Sequence, residues 1–335
     1  MIREIGSEFH KMPLESGHGL VLPSEGSFVF SGRTAIETVL QELSYAKKAV
    51  LPSYCCDSMI EPFRKRGIYV EFYPVEYENG LKINVKIPND ADIFLWCNYF
   101  GYRTPMPDMS EFKTRGGVIV EDITHSLFSN HLYNSQSDYI VASIRKWEPI
   151  NCGGYCAAVN DSLNYIPTHM PPVEFVNNKS SAMEMKKEYL DCLDTDKKEK
   201  FLAMFGNSNK WLAENYSKLV IDSQSKFFLE NVDFERQKRI RCDNAHMLYE
   251  GLRDKVEFLF AEEDMECPLF VPIIISDRDE IRKILVENNI YCPVHWPKPE
   301  DCDSNLYGLE LSLVCDQRYN ENDMRRIVSV LSELL

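Results

Sequence analysis

An aspartate and a lysine are the pair of side chains in this sequence that could do chemistry together. Asp122 closes the apolar run 118–122, Lys146 comes 24 residues later, and a glycine pair follows at 153–154. A lysine amine can hold an aldehyde as a Schiff base, and a carboxylate can keep a pyridine nitrogen protonated so that the ring accepts electrons. These are the needs of pyridoxal 5'-phosphate (PLP), and the pair therefore points to a PLP enzyme.

Each of these residues also has an ordinary structural explanation. A lysine just beyond a strand end is commonly a solvated surface residue, and an aspartate there can cap a helix. His125, three residues past Asp122, could face the same pocket or be a hydrogen-bonded loop residue. The hypothesis therefore rests on Asp122 and Lys146 lying at two strand ends, where open α/β sheets bind ligands.

A phosphate site is predicted where the segment Ser31-Gly32-Arg33-Thr34 opens a helix. Backbone N–H groups and the positive end of the helix dipole suit a phosphate there. Thr34 and Ser143 offer hydroxyl groups, and Arg33 could add a charge-assisted hydrogen bond. The alternative is that Ser31 only caps its own helix.

Further candidates surround the proposed cofactor ring. Tyr54 and Cys56 follow a predicted strand end at Leu51-Pro52, where an aromatic side chain could stack on the ring. The segment 295–297 (His-Trp-Pro) and Arg318 could reach the substrate. The run 99–102 is interpreted as a buried strand end that turns at a glycine.

The elements that must position these residues follow an α/β pattern. Short apolar runs that indicate strands buried on both faces alternate with helical patterns in the first half of the chain; the strands are expected at 49–52, 69–75, 92–97, 118–121, 138–143 and, perhaps antiparallel, 154–159. Residues 182–250 indicate several helices, including one over 234–252. The C-terminal part returns to strands at 269–275 and 310–313 and to helices at 279–288 and 322–335, the last capped by Asn320 or Asn322.

The composition excludes several functions. A formal net charge of −15 offers no basic stripe for nucleic acid, and the basic run 236–241 is predicted to be a solvated helix face. Eleven cysteines show neither a disulfide framework nor the paired spacing of a zinc site, so we expect no metal and reduced thiols in the cytoplasm. With no signal peptide and no apolar run of about 20 residues, no membrane partner is expected.

Several segments, taken in the order in which they occur along the chain, resemble those of the DegT/DnrJ/StrS sugar-aminotransferase family, which are PLP enzymes of fold type I. Six segments carry the resemblance: SGRTAIETVL, VLPSYCCDSMIEPFRKRGIYVEFYPV, NYFGYRTPMPDM, VIVEDITHSL, SIRKW with GGY, and LELSLVCDQRYNENDMRRI. The resemblance implies that Lys146 forms the Schiff base, that Asp122 binds the pyridine nitrogen and that His125 lies near the ring hydroxyl. It assigns the phosphate to four residues, Gly32, Arg33, Thr34 and Ser143.

The chain departs from the family pattern at several positions. The serine stands three residues before Lys146 rather than five, and Trp147 replaces the usual asparagine after the lysine. The family's stacking aromatic aligns with Cys56, so either Tyr54 or His125 replaces it or that face of the ring is open. The asparagine-tyrosine-arginine segment that the family contributes across its dimer is not found. A related dehydratase branch has histidine at the lysine position, so Lys146 favours transamination.

The resemblance implies an aminotransferase that uses an amino-acid donor and a keto sugar linked to a nucleotide, in the biosynthesis of cell-surface polysaccharide or related molecules. It also implies a homodimer. We expect an N-terminal segment (1–20), a large α/β PLP domain with a mostly parallel mixed sheet (21–230) and a smaller α/β domain (231–335). The alternatives are a non-catalytic binding or regulatory protein with the same fold, and a different PLP reaction such as that of a lyase or decarboxylase.

Overall fold

The structure is a computed structural model that describes residues 3–22 and 26–335. The predicted N-terminal segment and large domain are therefore described except for residues 1–2 and 23–25. The strands are, in chain order, β1 (Ile5–Gly6), β2 (Ser27–Val29), β3 (Lys48–Pro52), β4 (Tyr69–Tyr73), β5 (Val75–Tyr77), β6 (Leu81–Ile83), β7 (Ile93–Cys97), β8 (Val118–Asp122), β9 (Tyr139–Ser143), β10 (Gly154–Ala158), β11 (Glu257–Phe258), β12 (Val271–Ile274), β13 (Ile290–Tyr291) and β14 (Glu310–Leu313). The helices are α1 (Gly32–Glu42), α2 (Asp57–Lys65), α3 (Ser110–Thr114), α4 (Val173–Cys192), α5 (Thr195–Glu214), α6 (Ser223–Asn231), α7 (Phe234–Leu252), α8 (Arg278–Glu287), α9 (Leu306–Leu309) and α10 (Glu321–Leu334).

The chain forms two compact units, and each is built from separate stretches of sequence. The first unit comprises Glu8–Tyr45 and Tyr139–Phe234 together with Arg3. The second unit comprises Glu4–Ser7, Ala46–Asp138 and Glu235–Leu335. The division at residues 20 and 230 stays a prediction.

The fold is α/β, as predicted, with a mixed and mostly parallel central sheet. In the second unit β4, β3, β7 and β8 pair in parallel, and every residue of β7 is buried. Strands covered on both faces have such continuous apolar sequences, which is why the pattern identified them. In the first unit β10 pairs antiparallel with β9 and β2, which confirms the predicted return strand.

Helices cover the sheet strands of both units. In the first unit α1 packs against β9 and β10 through an apolar face that includes Ile36, Val39 and Leu40, as the periodicity predicts. In the second unit α2 packs against β4. The long helices α4 and α5 pack against each other in the first unit, around a buried cluster that includes Phe201 and Phe205.

The C-terminal elements match the prediction closely. Helix α7 spans the predicted residues, and α10 begins after Asn320, whose side chain accepts a hydrogen bond from the Asn322 N–H at 2.9 Å. Asp323 accepts in return from the Asn320 N–H at 3.1 Å, which completes a capping box. Strands β11, β12 and β14 form an antiparallel sheet in the second unit.

The basic run 236–241 is only partly a solvated face, and for Arg241 the prediction is wrong. Arg236 and Arg239 are exposed, but Arg241 is fully buried and its Nη1 donates to the Pro268 and Leu269 carbonyls at 3.3 Å each. The helical period places Arg241 on the face of α7 that points inward, and its guanidinium satisfies loop carbonyls there.

No helix among the described residues is both long and apolar enough to cross a membrane. Nor do the described side chains include a group of three or more His, Cys, Asp or Glu arranged to hold a metal ion. All eleven cysteines lie in the described part of the chain, and none forms a disulfide.

Candidate functional site

The predicted phosphate site in the first unit lies at the start of α1. Ser31 is the N-cap, because its Oγ accepts from the Thr34 N–H at 3.2 Å, so the capping role of Ser31 is confirmed. The Thr34 side chain is buried and its hydroxyl donates to the Tyr216 carbonyl at 2.9 Å. Gly32, Arg33 and the first-turn N–H groups therefore offer more to a phosphate than the Thr34 hydroxyl does.

Two glycines allow the chain to approach itself closely at this point. A Cβ on Gly32 would lie 3.0 Å from the Cβ of Ser143, and a Cβ on Gly154 would lie 2.3 Å from the Ser31 carbonyl oxygen. The start of α1, the end of β9 and the start of β10 therefore meet within van der Waals contact. Side chains at 32 or 154 would push these segments apart.

Lys146 ends a short 3₁₀ turn that follows β9 directly. The turn is held at both ends: the Ile144 N–H donates to the Gly153 carbonyl at 3.1 Å, and the Trp147 N–H donates to the Ile144 carbonyl at 2.8 Å. Trp147 is fully buried, whereas Lys146 is half-buried. Trp147, which stands where the family pattern has asparagine, thus anchors the turn that carries Lys146.

A partly buried ionic cluster next to this turn escaped the sequence analysis. Glu8 accepts from Asn209 Nδ2 at 2.8 Å and from Lys179 Nζ at 3.2 Å, and Arg145 donates to Asn209 Oδ1 at 3.5 Å. Burial by itself would raise the pKa of Glu8, but Lys179, Asn209 and Arg145 lower it to about 2. Its members are 30 to 201 residues apart along the chain, so no local pattern could have revealed the cluster.

Asp122 and His125 belong to the second unit. Asp122 is the last residue of β8 and is buried, and its Oδ1 accepts from the Thr124 N–H at 2.8 Å. His125 is also buried, and its Nδ1 accepts from the Phe100 N–H at 3.1 Å. A neutral ring that accepts at Nδ1 carries its hydrogen on Nε2. His125 is therefore oriented as a hydrogen-bond donor through Nε2.

The predicted stacking candidates have different surroundings. Tyr54 is fully buried among the rings of Tyr99, Trp296 and Tyr307, with centroid distances of 5.8, 5.1 and 5.2 Å. Trp296 also stacks on the His125 ring at 5.6 Å and 29°. The structure thus brings Tyr54, Trp296 and His125 together in one aromatic group within the second unit.

Two other candidates bond to their near neighbours. Cys56 precedes α2, with its sulfur 2.8 Å from the Ser58 hydroxyl oxygen. Arg318 holds the buried Asp316 through two hydrogen bonds, of 2.8 and 2.7 Å, which give the guanidinium a structural partner.

A turn of unusual backbone conformation holds His125 in place. Phe100 and Gly101 have φ values of +55° and +86°, and a Cβ on Gly101 would lie 1.7 Å from the Cys267 carbonyl oxygen. The Cys267 N–H donates to the Gly101 carbonyl at 3.1 Å, and the Leu269 N–H donates to the Phe100 carbonyl at 2.8 Å. This turn therefore orients the Phe100 N–H that binds His125.

Gly101→Ala is expected to lower the free energy of unfolding by about 2–4 kcal/mol. Alanine is strained at a positive φ, and its Cβ would also clash with the Cys267 carbonyl oxygen. Gly116 is the matched control, since its φ is +87° but nothing lies within 4 Å of an added Cβ. Gly116→Ala should cost only about 1–2 kcal/mol. Urea unfolding of both variants measures the difference, and equal losses would contradict the close approach at Gly101.

A second polar network, missed in the sequence, surrounds the carboxyl group of Glu310. This group accepts from the Ser312 hydroxyl at 2.5 Å, from the Tyr54 hydroxyl at 3.3 Å and from the His295 N–H at 3.4 Å. Burial raises the pKa of Glu310 to about 8, although Ser312, His295, Tyr54 and Arg278 act in the opposite direction. The only sequence signal was an acid inside the apolar strand Glu310–Leu313.

The raised pKa of Glu310 predicts stability that falls with pH. An unfolded glutamate titrates near 4.3, so between about pH 5 and 8 the folded state holds a proton that the unfolded state has released. The contribution of Glu310 to the free energy of unfolding is fully present below the unfolded pKa and is lost as pH rises towards 8. From pH 5.5 to 7.5 we expect a loss of about 2–3 kcal/mol that Glu310→Gln removes.

Urea unfolding at these two pH values measures the loss. Glu287→Gln is the control, because that side chain is exposed on α8 and the variant should keep the wild-type pH dependence. The same pH dependence in Glu310→Gln and in the wild type would contradict the assignment to Glu310.

Comparison with known proteins identifies the fold. No family model and no curated protein matches the sequence. Among solved structures, the chain is similar to a DegT DnrJ EryC1 StrS aminotransferase from Brucella abortus, with 14% identity, 93% of this chain and 86% of that chain covered, and a TM-score of 0.61. It is also similar to the sugar aminotransferase CalS13 from Micromonospora echinospora (12% identity, 92% and 87% covered, TM-score 0.60).

A third similar structure is that of DesI in the presence of its TDP-sugar product, with 12% identity, 92% and 80% of the two chains covered, and a TM-score of 0.60. The three likenesses cover nearly the whole chain and confirm the fold that the segment order predicted. This chain therefore has the fold of the DegT/DnrJ/EryC1/StrS aminotransferases.

Proposed function

We propose that this protein is a PLP-dependent aminotransferase that transfers an amino group from an amino acid to a keto sugar linked to a nucleotide. The observation that carries the proposal is the placement of Asp122 and Lys146 in a chain with the aminotransferase fold. Asp122 ends β8 and Lys146 lies in the turn directly after β9, and strand ends of this kind bind ligands in α/β sheets. The TDP-sugar product present with DesI supports the choice of acceptor.

The residues of each unit suit the part of PLP that we assign to them. In the first unit the first turn of α1 carries Arg33 and no acidic residue, which favours a phosphate dianion. Gly32 lets this turn approach Ser143 closely. In the second unit the buried carboxylate of Asp122 suits a protonated pyridine nitrogen, and the Nε2–H of His125 suits a ring oxygen.

When bound, PLP supplies an aldehyde that takes up the amino group and a ring that accepts an electron pair. Lys146 would hold the aldehyde, and its amine, when free, would carry the proton between the donor Cα and the cofactor C4′. Asp122 keeps the proton on the ring nitrogen. Trp147 anchors the turn that carries Lys146 and would thereby fix the position of the lysine backbone.

The experiment that tests this function is a pair of half-reactions. Glutamate added to the PLP-loaded protein should bleach the visible absorbance band and release 2-oxoglutarate. A TDP-linked ketosugar should then restore the band, and ¹⁵N from labelled glutamate should appear in the sugar. No spectral change with any amino donor would favour a non-catalytic binding protein, and loss of carbon dioxide or of a leaving group from the donor would favour a decarboxylase or lyase.

We further propose a homodimer that acts in the cytoplasm, in the biosynthesis of polysaccharide or related molecules, on the strength of the family resemblance alone. Light scattering would test the assembly, because a dimer has twice the 38.9 kDa mass of the chain. The mass of a monomer at working concentration would contradict it.

A further inference from the structure

Two cysteines far apart in the sequence meet inside the second unit. Cys242 lies on α7, Cys267 lies in the loop before β12, and the two thiols are close enough to shift each other's pKa. Cys242 is half-buried, whereas Cys267 is fully buried. The Cys242 sulfur is also 3.7 Å from the carbonyl oxygen of Glu266, the residue before Cys267. One thiol of the pair is therefore partly open to solvent and the other is held behind it.

The helix places positive charge around the outer thiol. Lys238 and His246 are four residues before and after Cys242, so all three lie on the same face of α7. The hydrogen bond from Cys267, followed by the charges of Lys238 and His246, lowers the pKa of Cys242 to about 7, against burial and the opposing charge of Asp243. Burial raises the pKa of Cys267, which keeps it a thiol and a hydrogen-bond donor.

We propose that Cys242 and Cys267 form an oxidisable dithiol in which Cys242 reacts with a hydroperoxide and Cys267 then closes a disulfide. The Cys242 thiolate attacks the terminal oxygen of the peroxide, the O–O bond breaks, and the leaving oxygen takes up a proton, which gives a sulfenic acid and one water or alcohol. The Cys267 sulfur attacks the sulfenic sulfur, an S–S bond forms, and hydroxide leaves with the Cys267 proton as water. Both thiols lose one electron each and the peroxide gains two.

The loop that carries Cys267 gives this reaction a consequence for the proposed cofactor site. Cys267 and Leu269 hold the turn at Phe100 and Gly101, and the Phe100 N–H binds His125. A disulfide brings two sulfur atoms to about 2.05 Å, which is closer than two unbonded thiols can lie, so its formation pulls the Cys267 loop and α7 towards each other. We infer that oxidation weakens PLP binding through His125; this part rests on the proposed function.

The experiment treats the full-length protein with hydrogen peroxide and maps the products by tryptic mass spectrometry. Trypsin places the two cysteines in separate peptides, 242–253 and 256–278, each with a single cysteine. We expect a linked pair of these peptides that dithiothreitol separates. Cys267→Ser should stop the reaction at a Cys242 sulfenic acid that dimedone traps, and Cys242→Ser should give neither product.

Cys192→Ser is the matched control, because Cys192 is exposed on α4 and the variant should keep the linked peptides unchanged. Lys238→Gln should slow alkylation of Cys242 at pH 7 about two- to threefold, since less thiolate forms. Peroxide-treated wild type without the linked peptides, or with Cys242 joined mainly to other cysteines, would overturn the proposal. The mapping needs no PLP, so its result is independent of the aminotransferase assays; unchanged PLP affinity of the disulfide form would overturn only the link to His125.

Discussion

Lys146→Ala is expected to abolish transamination, with a loss of about 10⁴-fold or more in the half-reaction with glutamate. The substitution removes both the amine that holds the aldehyde and the base that moves the proton. Borohydride reduction of the PLP-loaded wild type should attach a pyridoxyl phosphate group to the peptide that contains Lys146. The alanine variant should show no such attachment and should lose the visible band of the lysine-bound cofactor.

Lys187→Ala is the matched control, since Lys187 is an exposed lysine of the first unit, on α4. It should keep the wild-type rate, spectrum and attachment site. Added small primary amines should restore part of the activity of Lys146→Ala, because they replace the missing proton carrier. Borohydride attachment to a different lysine in the wild type would contradict the role of Lys146.

Asp122→Asn is expected to reduce the rate of the half-reaction by about 10²–10³-fold, because a neutral amide no longer keeps the pyridine nitrogen protonated. The asparagine retains an oxygen that can accept from the Thr124 N–H, so the turn after β8 should survive. Stopped-flow absorbance measures the rate, and thermal unfolding of the apoprotein measures the stability. The substitution therefore separates the charge of Asp122 from its structural hydrogen bond.

The neighbouring acid provides the control for this experiment. Glu121 is buried and accepts hydrogen bonds from Asn98 Nδ2, the Asn134 N–H and the Ser137 hydroxyl. Glu121→Gln leaves one of these donors without an acceptor and should lower stability by about 1–3 kcal/mol while the cofactor spectrum and rate stay normal. A rate in Asp122→Asn equal to that of the wild type would remove Asp122 from the proposed mechanism.

The sequence predicted most of the elements that carry the candidate site, because their signals are local. Buried parallel strands require continuous apolar runs, so β7 and β8 were recognisable without any knowledge of their partners. Ser31 and Asn320 cap helices through hydrogen bonds to residues two to three positions away. The placement of Asp122 at a strand end and of Lys146 just beyond one followed from the same local patterns.

The surroundings of these residues could not be predicted in this way. Arg241 looked like a solvated charge, and only the loop carbonyls of Pro268 and Leu269 explain why it is buried. Tyr54 looked like a candidate for stacking on the cofactor, but the structure surrounds it with aromatic rings and joins its hydroxyl to Glu310, 256 residues away.

By itself, then, the sequence determined the order of the strands and helices, the two strand ends that carry Asp122 and Lys146, and through its ordered segments the fold. Only the tertiary structure decided the ionisation of Glu8 and Glu310, the orientation of His125 by Phe100, and the meeting of Cys242 with Cys267. The physical reason is that a helix or strand signal repeats within a few residues. A pKa or a hydrogen-bonded pair depends instead on groups that the folded chain brings together from distant positions.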